Sequence, residues 1–337
     1  MRARRPTLVI AAAALAALAA GCGSFEDPTI VIDLRALAMT AEPPEQVVAL
    51  DPTNPPDPGN LDELGLVDVE VCGLIADPGA DRALDWTMTV CGPRGNRRCD
   101  DPDRPSYPIG SGRVVDPEGA DRALPCATVA VEPGLLVVLE DAIREDPLGG
   151  FGQVDLQVEL KVTPVDGDAG GGHDAIYAAK RVRYAAQLPA ERTANHNPTL
   201  DRIDYTLADG DTPTPLPLGR CVDGGAPLVV APGDRLTLEP IEPDGVREDY
   251  VVPTFDGGSR MFTETLTYQW LATDGGWTRG SSGGPRDASG TPPPLDSTWK
   301  APPAADLDGP TDVTLWLVQR DERLGEAWYE ACVRVEP

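Results

Sequence analysis

The chain has 337 residues, with 28 basic against 55 acidic side chains and a formal charge of −27. A field of that sign repels nucleic acid and anionic membrane surfaces, and argues against both as partners. The length leaves room for two domains of ordinary size, the 41% hydrophobic share is enough for real cores, and 35 glycines with 36 prolines imply many turns.

In chain order, Arg2, Arg4 and Arg5 form a basic head, followed by an apolar run over residues 8–20 that is too short to span a bilayer. These are the parts of a secretory signal. The run ends in "LAAGC", which resembles the lipobox of bacterial lipoproteins, with Ala19 where a branched apolar residue is usual. The resemblance implies cleavage after residue 21 and lipid on Cys22, with residues 22–27 as a polar tether. Gly23, which is not aspartate, implies the outer membrane. Loss of residues 1–21 would remove three arginines and no acid, taking −27 to about −30.

Period-two alternation dominates the rest. "IVIDLRALAM" starts the series, and residues 45–62 read as an acidic, proline-rich loop. "ALDWTMTV" puts Leu84, Trp86, Met88 and Val90 on one face of a strand. Residues 135–145 are the one helical segment, after Pro133-Gly134 and before Pro147, with Leu135, Leu136, Leu139 and Ile143 on its apolar face. Val154, Leu156, Val158, Leu160 and Val162 alternate with polar residues, as in a half-buried strand. Residues 188–200 are polar, lack alternation and hold prolines near both ends, which marks a linker. Beyond it come "DRLTLEPI", "TLTYQW" (Leu266, Tyr268, Trp270), a second loop over residues 279–296, "DVTLWLV" (Val313, Leu315, Leu317) and "EACVRVE" (Ala331, Val333, Val335). Many short strands and one helix predict an all-β fold of two tandem sandwiches, over residues 28–187 and 201–337.

The halves echo each other: Leu84, Trp86 and Met88 align with Leu266, Tyr268 and Trp270. On "VVAPGDRLTLEP", "LTYQW", "STWKAPP" and "VTLWLVQRDERLGEAWYEACVRV", the second half resembles PKD-type and other immunoglobulin-like extracellular modules. On "IDLRALAMTAEPPEQV" and "CGLIADPGADRALDWTMTVC", the first half resembles the immunoglobulin-like repeats of lipoproteins from myxobacteria and their relatives. Met88 stands there where tryptophan is expected. The resemblance implies antiparallel sandwiches with Trp86 and Trp270 in the cores. Trp316 is out of phase with Leu315 and Leu317, and is expected under a loop or against the neighbouring domain.

With Cys22 set aside, six cysteines remain, an even number that reads as disulfides in an exported chain. Cys221 and Cys332 are the pair in the second half. The four in the first half allow three pairings, of which Cys91 with Cys99 and Cys72 with Cys126 is favoured. No histidine stands near Cys91 and Cys99 to make a zinc site.

Chemistry is sparse. His173 and His196 lie in polar loop sequence, and "GSSGG" matches a nucleophile elbow without its strand–turn–helix context. No P-loop or dinucleotide fingerprint is present. Calcium is the one ligand to weigh, on Asp166, Asp168 and Asp174 or on Asp306, Asp308 and Asp312, although neither loop has EF-hand spacing and a solvated turn is the competing reading. The sequence thus predicts a non-enzymatic, lipid-anchored envelope protein of the outer membrane, in a binding, adhesion or structural role, with an envelope protein or polysaccharide as partner. A polysaccharide binder would expose Trp277, Trp316 and Trp328 in a row; a calcium-dependent surface module is the other alternative.

Overall fold

A computed structural model describes residues 27–49, 64–78, 82–95, 98–115, 124–150, 152–166, 174–208, 210, 212–223, 225–254 and 256–337. The signal segment, Cys22, Asp168, His173 and most of the loop expected at 45–62 lie outside these residues.

The first sandwich contains β1 (Arg35–Glu42), β2 (Glu45–Val48), β3 (Val69–Ala76), β4 (Leu84–Cys91), β5 (Ser106–Val114), β6 (Cys126–Val129), α1 (Pro133–Glu145), β7 (Gln153–Pro164) and β8 (Ile176–Ala186). Its sheets run β1-β3-β6 and β2-β8-β7-β4-β5, antiparallel except for β2 beside β8. The second contains β9 (Arg202–Leu207), β10 (Thr214–Pro215), β11 (Leu228–Val230), β12 (Arg235–Ile241), β13 (Asp249–Pro253), β14 (Ser259–Thr263), β15 (Thr267–Ala272), β16 (Gly276–Trp277), β17 (Ser281–Gly283), β18 (Ser297–Lys300), β19 (Thr311–Arg320) and β20 (Glu326–Val335). Its sheets run β10-β9-β12-β18-β16 and β11-β20-β19-β15-β17, with β11 parallel to β20. Both follow one plan, immunoglobulin-like sandwiches in which β2 and β11 each join the far sheet as a parallel edge. The echo noted in sequence falls on equivalent strands: Met88 faces Leu160 across β4 and β7, and Trp270 faces Leu317 across β15 and β19.

The alternation fills the cores as expected. Leu156, Val158, Leu160 and Val162 are fully buried, as are Leu266, Tyr268 and Trp270. Each apolar side chain of this size contributes roughly 1.5–3 kcal/mol on burial. Trp86 is only half-buried, with its ring against the β5 backbone at Gly110 and Gly112. Helix α1 begins on Pro133, a residue suited to the first turn, and ends where Asp146 donates its N–H to Ala142. Its buried face is Leu135, Val138, Asp141 and Ala142; Ile143, expected inside, is 42% exposed. The face is rotated because Asp141 is drawn inward to an ion pair with Arg94 at 2.6 Å.

Three disulfides form with the expected connectivity. Cys72–Cys126 joins directly paired residues of β3 and β6, Cys91–Cys99 closes a short loop, and Cys221–Cys332 ties a 3-10 turn to β20. Such bonds fit an oxidising compartment. Among the described residues no helix is long and apolar enough to cross a membrane.

A third apolar cluster lies between the sandwiches. Val31, Leu37, Ala38, Leu74 and Ala76 meet Leu271, Trp316 and Val318. Trp316, 1% exposed, therefore packs against the neighbouring sandwich. Residues 29–31 add to the second sandwich through hydrogen bonds of Val31 and Thr29 with Ala272, at 2.8 and 3.0 Å.

Candidate functional site

Between β12 and β15 the second sandwich inserts the β13–β14 hairpin, which has no counterpart among the described residues between β3 and β4. Its cross-strand partners Tyr250 and Phe262 stack with ring centroids 5.6 Å apart. Met261 and Phe262 remain exposed. The hairpin is fastened by the Tyr250 hydroxyl, which donates to Glu322 at 2.7 Å, and by Thr265, which donates to the same carboxylate at 2.7 Å. A cleft opens on each side of it. The larger, about 750 Å³, is lined by Arg247, Glu264, Thr265, Arg286, Pro292 and Leu295, among others. The smaller, about 290 Å³, includes Arg192, Tyr250, Val252 and Arg323 and faces the first sandwich. The larger has the size usual for an organic ligand.

Buried charge runs beneath both. Arg323 sits in the β19–β20 turn, which is bent by Leu324 at φ +88. It donates to Glu45 of β2 at 2.6 Å and to the Thr193 carbonyl at 2.9 Å, and lies 3.4 Å from Glu264 and 3.5 Å from Glu248. Glu45, 1% exposed, also accepts from Arg192 at 2.7 Å and from the Asn195 N–H at 2.9 Å. Asp321 accepts from the N–H groups of Arg323 and Gly325, both at 2.7 Å, and from the Asn195 side chain at 2.9 Å. Next to these, Lys180 of β8 and Arg320 of β19 share Glu326 of β20, at 3.1 and 2.8 Å. Residues 188–200, read as a linker, have no regular element but run through this junction, where Asn195 is fully buried.

Burial raises the Glu264 carboxyl to about 7; the nearby Asp321 adds to the rise and Arg323 opposes it. Burial also raises Asp321 and lowers Lys180, the latter against the pull of Glu326. On the cleft wall, Glu242 is opposed by burial but held below its ordinary value by hydrogen bonds from Arg247 and from the Tyr268 hydroxyl at 2.6 Å. Buried pairs of this kind contribute little net stability, yet removing one member is costly because it strands the other. A carboxyl near 7 beside a cleft is the sort of group that marks a functional site.

The structure does not gather the calcium candidates of the second half. Asp306, Asp308 and Asp312 are exposed, and Asp312 pairs with Arg334 at 2.7 and 2.8 Å. Among the described residues the one set of three ligating groups is Cys221, Asp312 and Cys332, and both cysteines are bonded to each other. Asp166 and Asp174 stand on either side of residues 167–173, which lie outside the described residues. His196 is exposed and places Nδ1 2.7 Å from Glu248. Ser282 of "GSSGG" is on β17, not on a strand–turn–helix; it accepts from the Trp270 indole N–H and donates to the Leu295 carbonyl. The expected row of exposed tryptophans is not formed: Trp316 is buried, Trp277 packs half-buried on Trp270 at 5.2 Å, and Trp328 lines the third apolar cluster.

Sequence reading missed Glu264, Glu45 and Arg323. One signal was present: Glu264 is in phase with Leu266, Tyr268 and Trp270, so the alternation itself points a carboxylate inward.

No family model matches the chain, and no curated protein matches it. Among solved structures it is similar to the two tandem V-type regions of VCBP3, a v-region-containing chitin binding protein. Identity is 10% and the TM-score 0.21, over 90% of this chain and 100% of that one. The assignment to the immunoglobulin-like fold rests on the strand order above.

Proposed function

We propose that this protein is a lipid-anchored protein of the cell envelope with a non-catalytic binding or adhesion role, and that it binds through the larger cleft beside the β13–β14 hairpin. The lipobox-like "LAAGC" supports the anchor on Cys22 and an outer-membrane location, and the disulfides support an exported chain. The observation that carries the binding site is a cavity of about 750 Å³ with a nearly buried carboxyl in its wall, on a hairpin that the shared sandwich plan does not require. The anchor needs more than one acyl chain to be stable, at ~0.8 kcal/mol per buried CH₂.

The test is capture of partners from native membranes with three forms side by side: wild type, Cys22→Ser and a cleft-blocked Pro292→Lys. Cys22→Ser is expected to leave the membrane fraction. Pro292→Lys is expected to stay there and lose the partners. Retention of Cys22→Ser in the membrane would overturn the anchor, and unchanged capture by Pro292→Lys would overturn the cleft.

A further inference from the structure

At the junction nearly every buried charge has a short-range partner. Arg192 and Arg323 direct their short bonds to Glu45, at 2.7 and 2.6 Å. Lys180 and Arg320 serve Glu326, at 3.1 and 2.8 Å. Asp321 is held by two backbone N–H groups and Asn195, and Glu248 meets His196 at 2.7 Å. Glu264 is the exception. It is 3% exposed, yet its nearest donors are Arg323 at 3.4 Å and the Glu248 N–H at 3.3 Å. Charge-assisted hydrogen bonds of full strength are shorter, about 2.7–2.9 Å. A buried carboxylate without one is costly unless a donor arrives or a proton binds. This under-satisfied group lines the larger cleft.

Both oxygens of Glu264 are met, but only at this longer range, by Arg323 and the Glu248 N–H, which leaves room for a closer positive donor from the cleft. A single metal ion does not suit, because among the described residues Glu264 is not grouped with two further ligating atoms. A narrow cation on a flexible stem does suit, since it reaches a nearly buried carboxyl while its stem lies along Pro292 and Leu295. The chain's net charge of −27 raises the local concentration of such cations.

We propose that the cleft takes an alkylammonium group, of the kind at the end of a lysine side chain or a polyamine, and that Glu264 receives its N–H groups. This rests on the cleft being the binding site. Because the carboxyl must be ionised to pair, affinity rises with pH through its titration near 7 while an alkylammonium stays charged. The groups that face Glu264 are Arg323 and Asp321 from the β19–β20 turn and Glu248 from the segment before β13, and the cleft wall adds Arg247, paired with Glu242 at 2.6 Å, and Arg286, which donates to the Gly290 carbonyl at 2.9 Å. Glu45 and His196 act one step further out, through Arg323 and Glu248.

The test is calorimetric titration of the folded protein with an N-terminally acetylated trilysine peptide, with the same peptide acetylated on its side chains, and with spermidine. Trilysine is expected to bind about tenfold more tightly at pH 8 than at pH 6, the ratio set by the ionised fraction of a group near 7. The acetylated peptide is expected not to bind. Spermidine binding at the same strength would show that a free polyamine suffices; weaker binding would assign the ammonium to a peptide. Glu264→Gln should abolish binding. In case that variant loosens the junction, Pro292→Lys, which places a tethered ammonium at the cleft wall, should weaken trilysine binding with an unchanged melting temperature. His196→Gln should keep the pH profile. Equal binding of acetylated and free peptide would overturn the ammonium assignment while leaving the cleft intact, and absence of trilysine binding at both pH values would overturn the proposal.

Discussion

The two sandwiches share a strand order but spend their insertions differently. The first places helix α1 between β6 and β7, where it covers the core with Leu135, Val138 and Ala142. The second spans the equivalent gap without an α-helix and inserts the β13–β14 hairpin elsewhere, leaving clefts rather than a lid. Equivalent positions show the same contrast. Glu159 of β7 and Trp316 of β19 precede the equivalent core residues Leu160 and Leu317, and both face away from their own cores. Glu159 is covered by its own loop, accepting the Cys99 N–H at 3.2 Å, whereas Trp316 is covered by the other sandwich. A common framework therefore tolerates either cover, and what differs between the copies is where function can sit.

The turn between the last two strands offers the sharpest break of that comparison. In the second sandwich it carries Arg323 into the junction. Arg323→Ala is expected to take from Glu45 one of its two arginines and from Glu264 its neighbouring cation, and to lower the unfolding free energy by about 3–5 kcal/mol in denaturant titrations. In the first sandwich Asp174, just before β8, is exposed, and Asp174→Ala should stay within about 0.5 kcal/mol. A similar loss from both would show that the residues ahead of the two last strands carry equal weight. Trp316→Ala should likewise cost about 3–5 kcal/mol by opening the apolar cluster between the sandwiches, read from the same titrations.

Smaller effects separate the junction from the cores by pH. The folded-state carboxyl of Glu264 stands near 7 against 4.5 for the free group. Its contribution to stability is therefore fully present below about 4.5 and is lost as pH rises through about 7. Asp321, also raised by burial, adds in the same direction. The melting temperature should fall between pH 5 and pH 8, and Glu264→Gln should flatten that fall; an unaltered slope would assign it elsewhere. The smallest effect is expected on the hairpin surface, where Met261 is 71% exposed. Met261→Ser should change stability by no more than about 0.5 kcal/mol.

Strands and sandwich class were legible because alternation with period two is a local signal, and the even cysteine count announced disulfides without choosing among the three pairings of the first half. The phase of Trp316 against Leu315 and Leu317 even announced a contact beyond its own core. The helix face was misjudged at Ile143 because the pull of Arg94 on Asp141 is a contact across 47 residues, invisible to periodicity. The junction was hidden for the same reason. Glu45 and Arg323 are 278 residues apart, and each reads alone as one charge among many. Residues 188–200 looked like a linker because a segment that satisfies its polar groups against two neighbours has no pattern of its own. Glu264 was readable from its phase, and the abundance of acid obscured it.

The two sandwiches form one body, locked by the charges beneath the clefts. Hydrogen exchange at the amides of Asn195, Gly325 and Glu326 tests it most directly, since each donates across or within that junction, to Glu45, Asp321 and Asn197. These amides should exchange as slowly as those of β7 and β19, at the rate of global unfolding. Exchange many times faster, on the timescale of an exposed linker, would show that the sandwiches move independently and that the junction is not what shapes the cleft.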